Sequence, residues 1–543
     1  MPDAVIVGAG HNGLVAANLL ADQGWDVVVL EGHDVPGGAV RTAELTLPGY
    51  HHDVFSAFYP LAAASPIIRR LDLQDHGLTW RHAPLVLAHP LPDGRAAVLS
   101  RDLDETAASL DAFAPGDGDA WRKLYGRWDR ISDALMSALF TPFPPVLGAL
   151  RLAGELGPTD SLRYARLALL TVRRLSEEEF AGEGGPMLLS GNALHTDLST
   201  DGAGSAVFGW LLASLGQQVG FPVPEGGAAR LIDALVDRLL SRGGRIECNA
   251  RVDRIEIRKG RAVGVVTADG REVPARRAVL ADVDAPRLLL ELVGTDHLPP
   301  RVVDDLKRFE YDAATFKVDW ALSGPVPWTA EETRRAGTVH LSDDLDQLTW
   351  YQAHLSTKHV PSDPFLLIGQ MATADPSRAP AGSEVLWAYT HVPRTVNGDA
   401  GDEGLTGRWD TSEQQIFADR MERIIERYAP GFRDLILERH ILAPQDLEAE
   451  NPNLVGGAIN GGTSQLHQQL VFRPIPGLGR PETPIPGLYL AGASAHPGGG
   501  VHGGPGANAA RAALHHHRLQ TAKVIAAVGA AAVAGSRGLR RLR

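Results

Sequence analysis

The chain has 543 residues, enough for roughly three or four domain-sized units and a large buried core, which excludes a peptide hormone, a small adaptor or a disulfide mini-protein. Lys plus Arg number 52 and Asp plus Glu 65, a net charge of −13 with no long basic run, so a nucleic-acid partner is not expected. Hydrophobic residues at 44% and charged residues at 22% are the balance of a soluble globular protein, and the single cysteine, Cys248, excludes both an intrachain disulfide and the paired thiols of a disulfide reductase.

Residues 4 to 31 read as a buried strand (Ala4 to Val7), a glycine turn, a crossover helix (Leu14 to Ala21, ended by Gly24) and a second buried strand (Val27 to Leu30). The apolar pattern starting at Ala4 leaves no room for a leader, and cysteine poverty fits a reducing compartment; the expectation is a cytoplasmic chain. From about 100 to 222 the pattern turns helical, for example Asp119 to Leu139 and Asp160 to Leu175, broken by the prolines of TPFPP at 141 to 145. A helix carrying Leu231, Leu235 and Leu239 follows, and then alternating apolar residues with KG and DG turns that describe a small β-meander containing Cys248. Phe316 to Leu322, Phe365 to Gln370 and Val385 to His391 read as strands of a second sheet, covered by a helix from Gln414 to Tyr428. After 484 the chain returns to strand, turn and helix, with Leu488 to Ala491 apolar and Ala507 to Leu514 helix-forming.

The fold class that follows is α/β: a Rossmann-type dinucleotide-binding domain with an inserted α+β substrate domain. The dinucleotide-binding domain is expected from three segments, 1–100, 223–295 and 471–520. The insertions are a mostly helical part, 101–222, and a part with sheet and helices, 296–470; an apolar and basic tail, 521–543, closes the chain.

Gly8, Gly10 and Gly13 spell G-x-G-x-x-G directly after a strand and at the start of a helix. The first glycine permits the tight turn, the second lets a diphosphate approach the backbone, and the third lets helix and strand pack closely. Glu31, 18 residues past Gly13 at the end of the second strand, places a carboxylate for both hydroxyls of an adenosine ribose. Gly37 and Gly38 make a second glycine pair followed by Arg41, which suits a cofactor longer than a nicotinamide dinucleotide; the alternative is a surface turn with a solvated arginine. Five glycines between Gly498 and Gly504, between a strand and a helix, form a backbone nest for an anion or an electron-rich ring.

On the words VIVGAGHNGLVAANLLADQGWDVVVLE, GGAVRT, NPNLVGGAINGG at 451 to 462 and GLYLAGASAHPGGGVHGGPGANAARAAL, the chain resembles the phytoene desaturase-like branch of the FAD-dependent amine oxidase and carotenoid desaturase superfamily. Within it the chain is most similar to the subgroup called pyridine nucleotide-disulfide oxidoreductase domain-containing protein 2. The resemblance implies extended FAD, bound through Gly8, Gly10, Gly13, Glu31, Gly38 and Arg41, with Val252 at the adenine, Gly492 and Ala493 at the second diphosphate contact, and Gly500 and Val501 at the flavin ring. Many relatives carry an acidic residue where this chain has Ala493, so contact there is expected from backbone N–H groups or Ser494.

Flavin carries the redox step, so no catalytic triad is required. Of 20 histidines, His391 and His195 are the catalytic candidates, with His496 and His502 also considered; for each the alternative is a structural histidine. Trp387, Tyr389 and His391 alternate along one strand and therefore share a face, either a substrate tunnel or ordinary sheet core. His51, His52 and Asp53 do not complete a metal site, HHH at 515 to 517 reads as an exposed helix end, and no metal is expected. With one dinucleotide fingerprint, the electron acceptor is expected to be dioxygen, a quinone or a protein rather than a bound nicotinamide. The apolar run Val524 to Gly535 followed by Arg537, Arg540, Arg541 and Arg543 is too short to span a bilayer and reads as peripheral membrane contact or a frayed helix end. The expected function is a dehydrogenase or desaturase that takes hydride from a C–H bond of a hydrophobic small molecule such as a polyisoprenoid or lipid. The alternatives are a redox-neutral carotenoid-type isomerase, an amine oxidase and a non-catalytic flavin-binding protein.

Overall fold

Every residue of Ala4–Val7, Val27–Leu30 and Ala278–Ala281 is buried, because helices and the meander cover both faces of the parallel sheet these strands form. The computed structural model describes residues 1–142 and 144–540, and the side chains of all of these except 147, 149, 158 and 523–540. The parallel sheet runs in the order Leu488–Leu490, Ala278–Ala281, Ala4–Val7, Val27–Leu30, Arg245–Glu247, so its strands come from three distant stretches of chain. On one face the helix His11–Ala21 packs against Ala229–Ser241 and against the C-terminal helix Gly504–Arg540. On the other lies the antiparallel meander Val252–Arg258, Arg261–Thr267, Glu272–Pro274.

The second unit is a seven-stranded mixed sheet in the order Ile436–Leu442, Ala314–Leu322, Glu384–Val392, Leu366–Gln370, Ala336–Leu341, Leu85–Pro90, Ala96–Leu99. Strand side chains alternate between faces. One face, with Phe316, Val318, Trp320, Ile368 and Ala388, packs on Phe417, Met421 and Ile425 of the helix Thr411–Tyr428. The Trp320 and Phe432 rings meet edge to face at 5.8 Å, a contact worth about 0.5–1.5 kcal/mol beyond area burial. The opposite face carries Thr315, Lys317 and Asp319 directly across from His391, Tyr389 and Trp387. Helices Asp117–Leu139, Val146–Leu167, Val172–Glu179, Gly184–Ala193 and Ser205–Val219 form the helical part, with Trp128 and Trp210 in T-shaped contact at 5.6 Å.

Four expectations are corrected. Residues 85–99, read as part of the first dinucleotide-binding segment, are two strands of the seven-stranded sheet, since an apolar strand gives no local sign of which sheet it joins. The helix expected over Asp160 to Leu175 is divided: Val146–Leu167, itself broken at Gly157, ends before Ala168, and Val172–Glu179 follows, capped by Thr171 Oγ1 on the Arg174 N–H. Cys248 follows the edge strand Arg245–Glu247 of the parallel sheet and precedes the meander. His515 to His517 lie inside the helix Gly504–Arg540, where His516 bonds the Tyr489 hydroxyl at 2.9 Å and His517 packs edge-on against Trp25. The side chains of the tail run Val524 to Gly535 lie outside the described residues.

Candidate active site

Gly10 is the N-cap of His11–Ala21 and has no side chain to satisfy the free N–H groups of the first turn. A Cβ on Gly13 would lie 2.2 Å from the Gly8 carbonyl oxygen, a backbone atom that leaves no room for a side chain, and one on Gly10 would lie 2.6 Å from the Asp282 side-chain Oδ2. Asp282, just past the strand Ala278–Ala281, reaches across to accept the Gly13 N–H at 2.9 Å and caps the helix from 269 residues away. Burial, reinforced by the charge of Glu31, pushes its carboxyl up to about 7 despite that bond. Glu31 ends the second strand, is buried, and accepts the N–H of Ala9 at 2.7 Å and of His33 at 2.9 Å. A carboxylate has about four acceptor positions, so two stay open, the number a ribose diol requires. The segment leading to Val252 runs alongside, with the Ala250 N–H on the Glu31 carbonyl at 2.7 Å.

The second glycine pair folds onto the first. Gly37 bridges to Gly10 and donates its N–H to the Ala9 carbonyl at 2.9 Å, and a Cβ on Gly38 would lie 3.2 Å from Gly10 Cα. Arg41, which follows, is paired with Glu450 at 2.8 Å and lies over the Phe55 ring, while its buried Nε has no partner among the described residues. The third turn closes on the same helix: a Cβ on Gly503 would meet Val15 at 2.9 Å and one on Gly506 the Asn12 carbonyl at 1.9 Å. Gly500 holds φ +104° and packs toward Leu61, and Val501 packs against the same core. His502 locks this turn, its Nδ1 accepting the Gly504 N–H at 3.0 Å and its Nε2 donating to the Gly499 carbonyl at 3.2 Å.

A buried arginine ties this turn to the loop 459–463. Arg473, 1% exposed, donates to the carbonyls of Asn460, Gly461, Gly462, Thr463 and Ala493 at 2.8 to 3.4 Å. Burial lowers it to about 10, so it stays a cation at neutral pH. Asp312 grips the same loop by its amides, accepting the N–H groups of Ile459, Asn460 and Gly462 at 3.0 to 3.3 Å. The loop is thus held by a cation on its carbonyls and an acid on its amides.

The seven-stranded sheet presents its second face to this cradle. Lys317 Nζ donates to Asp319 and to the Asp53 carbonyl at 3.1 Å, tying the sheet to the hairpin that follows the second glycine pair. Burial would raise Asp319, but the Lys317 ammonium and His52 outweigh it and hold the carboxyl below the usual range. Trp387 and Tyr389 stack at 5.9 Å with 17° between planes, and Tyr389 meets the His391 ring at 5.8 Å. His391, 1% exposed, reaches Thr315 Oγ1 through Nδ1 at 3.4 Å, and its Nε2 has no partner among the described residues. His195 shares a hydrogen bond with His340, Nε2 to Nε2 at 3.0 Å. Burial and the nearby His391 lower His195 to about 3, burial lowers His391, and burial with the neighbouring His195 and His89 holds His340 well below the usual range. All three imidazoles are therefore neutral at neutral pH.

The structure brings Gly8, Gly10, Gly13, Glu31, Gly38, Val252, Gly492, Ala493, Gly500 and Val501 to one end of the parallel sheet and sets His391 and His195 together on the facing domain. One contact differs from expectation: Arg41 is engaged by Glu450. Ser494 Oγ accepts the Ala285 N–H at 2.9 Å and keeps its O–H as a donor, so backbone N–H groups and Ser494 both stay available at Gly492 and Ala493. Sequence reasoning missed Asp282, Lys317, Asp312 and Arg473; charged residues within apolar runs were the available signal for the first two. The fixed glycines, the N–H groups of the first turn that Gly10 leaves uncapped and the open acceptor positions of Glu31 fit FAD, whose diphosphate the helix N-terminus would hold and whose ribose Glu31 would take.

Residues 13–514 match the family model described as flavin containing amine oxidoreductase. The chain is 30% identical to a mouse (Mus musculus) protein named pyridine nucleotide-disulfide oxidoreductase domain-containing protein 2, over 94% of this chain and 92% of that one. It is 25% identical to a neurosporene-forming phytoene desaturase of Rhodobacter capsulatus, over 92% and 91% of the two chains. The crystal structure of an oxidoreductase from Methanosarcina mazei superposes with a TM-score of 0.60 at 16% identity, covering 94% of this chain and 99% of that one.

Proposed function

The chain belongs to the flavin containing amine oxidoreductase family, as an FAD-dependent oxidoreductase of the carotenoid desaturase type, and we propose that its substrate is an uncharged, hydrophobic small molecule such as a polyisoprenoid or lipid. When bound, FAD supplies the hydride acceptor. The observation that carries the reading is the face made by Trp387, Tyr389 and His391: aromatic, with Trp387 and His391 buried and Tyr389 half-buried, and with the Lys317–Asp319 pair on it self-compensated. Such a surface favours an apolar group, with the acid Asp197 acting on His391 from beside it. At 5.9 Å the stacked Trp387 and Tyr389 rings leave no slot between them for a cation, which argues against an amine substrate.

In this reading the desaturated bond loses a hydride from one carbon and a proton from its neighbour. His391, neutral and with Nε2 free, takes that proton, and His195 holds the opposite wall through its bond to His340. The electrons pass on to dioxygen, a quinone or a protein. No helix among the described residues is long and apolar enough to cross a membrane, so delivery of a lipid-soluble substrate rests on peripheral contact, for which the C-terminal tail is the proposed element. Anaerobic mixing of the flavoprotein with apolar isoprenoids, fatty acyl compounds and alkylamines tests the proposal. Bleaching of the flavin band by a member of the first two classes is expected, and bleaching by amines alone would overturn it.

A further inference from the structure

We propose that Asp282 is a cofactor-binding residue that works as a neutral acid, carrying a proton when FAD is bound and donating it in a hydrogen bond to the diphosphate. Its Oδ2 accepts the Gly13 N–H at 2.9 Å, the third amide of the helix start, and lies 2.6 Å from where Gly10 would carry a Cβ, on the side from which a diphosphate approaches. Ala281 and Val283 are buried while Asp282 between them keeps partial exposure. An ionised carboxylate there would compete with the diphosphate for the same amides and repel it; a shared proton turns that repulsion into a bond.

Among the described residues, the groups that act on Asp282 include no cation to hold it ionised. Glu31, from the end of the second strand, is an acid that raises it, and His11, on the helix, is lowered to about 4 by burial and is neutral. Arg41 is engaged by Glu450, and Asp284 faces the Tyr311 hydroxyl at 2.7 Å and the Arg287 N–H. Asn453, from the loop after Glu450, is uncharged and donates to the Asp282 carbonyl at 3.2 Å. Burial already brings the carboxyl to about 7 before any anion arrives.

The inference rests on FAD being the cofactor and is tested on flavin-stripped full-length protein by quenching of FAD fluorescence. The protonated acid is the binding form, so affinity is full well below pH 7 and falls as pH rises through that value; between pH 6 and 8.5 the Kd weakens roughly 30-fold. D282N, whose amide donates at every pH, is expected to bind with a flat profile at the tight Kd of the wild type at pH 6. D282A is expected to be flat and weaker throughout. Calorimetry of the wild type at pH 8 in two buffers of different ionisation enthalpy should show uptake of a proton on binding, absent in either variant. A flat wild-type profile without proton uptake, or a D282N profile with the wild-type slope, would overturn the assignment. Failure of the wild type to quench FAD at any pH would instead refute the cofactor.

Discussion

Gly13→Ala puts a methyl group where the backbone leaves no room. The new Cβ falls 2.2 Å from the Gly8 carbonyl oxygen and 3.3 Å from Asp282 Cβ, whereas a carbon rests about 3.3 Å or more from a carbonyl oxygen. The offending atom belongs to the backbone, so relief requires the helix His11–Ala21 to retreat from the strand Ala4–Val7 by about 1 Å. Overpacking of this kind costs about 1–3 kcal/mol, and the helix preference of alanine over glycine returns up to about 1 kcal/mol, leaving a net loss of about 1–2 kcal/mol. The cofactor suffers more, because the same retreat takes amides of the first turn off the diphosphate. One charge-assisted hydrogen bond at about 1.5–3 kcal/mol corresponds to roughly 10- to 100-fold in Kd. Gly126→Ala is the control: in the helix Asp117–Leu139 its Cβ would have no atom within 4 Å, so it should be neutral or slightly stabilising. The assay is the flavin-to-protein ratio after gel filtration, with the FAD Kd and the unfolding midpoint. A Gly13→Ala protein with wild-type Kd and midpoint would refute the packing argument.

Arg473→Met strips the cation from five backbone carbonyls and leaves the acid Asp312 facing the same loop; a stability loss of about 3–5 kcal/mol is expected in denaturant unfolding, with flavin released, and an unchanged midpoint would contradict the clamp. His391→Asn should keep its full complement of FAD while anaerobic flavin reduction by substrate slows about 10²- to 10⁴-fold; an unchanged rate removes His391 from the chemistry. Acid should destabilise the fold through its buried histidines. His89 and His502 are lowered to about 4 and about 3 by burial, so between the ordinary histidine value of 6.5 and those values the unfolded chain binds more protons. Stability is therefore lost as pH falls below 6.5, by about 1.4 kcal/mol for each of the two at pH 5.5, read as a falling thermal midpoint; a midpoint flat from pH 7.5 to 5.5 would contradict their burial as neutral groups.

What was legible in the sequence follows from where physical constraint is written locally. Gly8 and Gly13 stand where backbone meets backbone, Gly10 lies between them, and Glu31 stands at a fixed step beyond, so the cradle can be read within 31 residues. The shared face of Trp387, Tyr389 and His391 follows from strand alternation alone, and the stacking of the rings agrees with it. Long-range partners leave no such trace. Asp282 is 269 residues from the amide it caps, His195 is 145 from His340, and Arg473 looks in sequence like any arginine before a proline although it is almost wholly buried. Residues 85–99 were assigned to the wrong unit for the same reason: a buried strand declares its burial but not its neighbour, here Ala336–Leu341.

The most direct test of the account is a single turnover under nitrogen with an apolar compound that the protein converts, followed by the flavin spectrum and mass analysis of the product. Flavin reduced in equal amount to a product two hydrogens lighter than the substrate is the predicted result. A product of unchanged mass with the flavin still oxidised would contradict it and make the protein an isomerase.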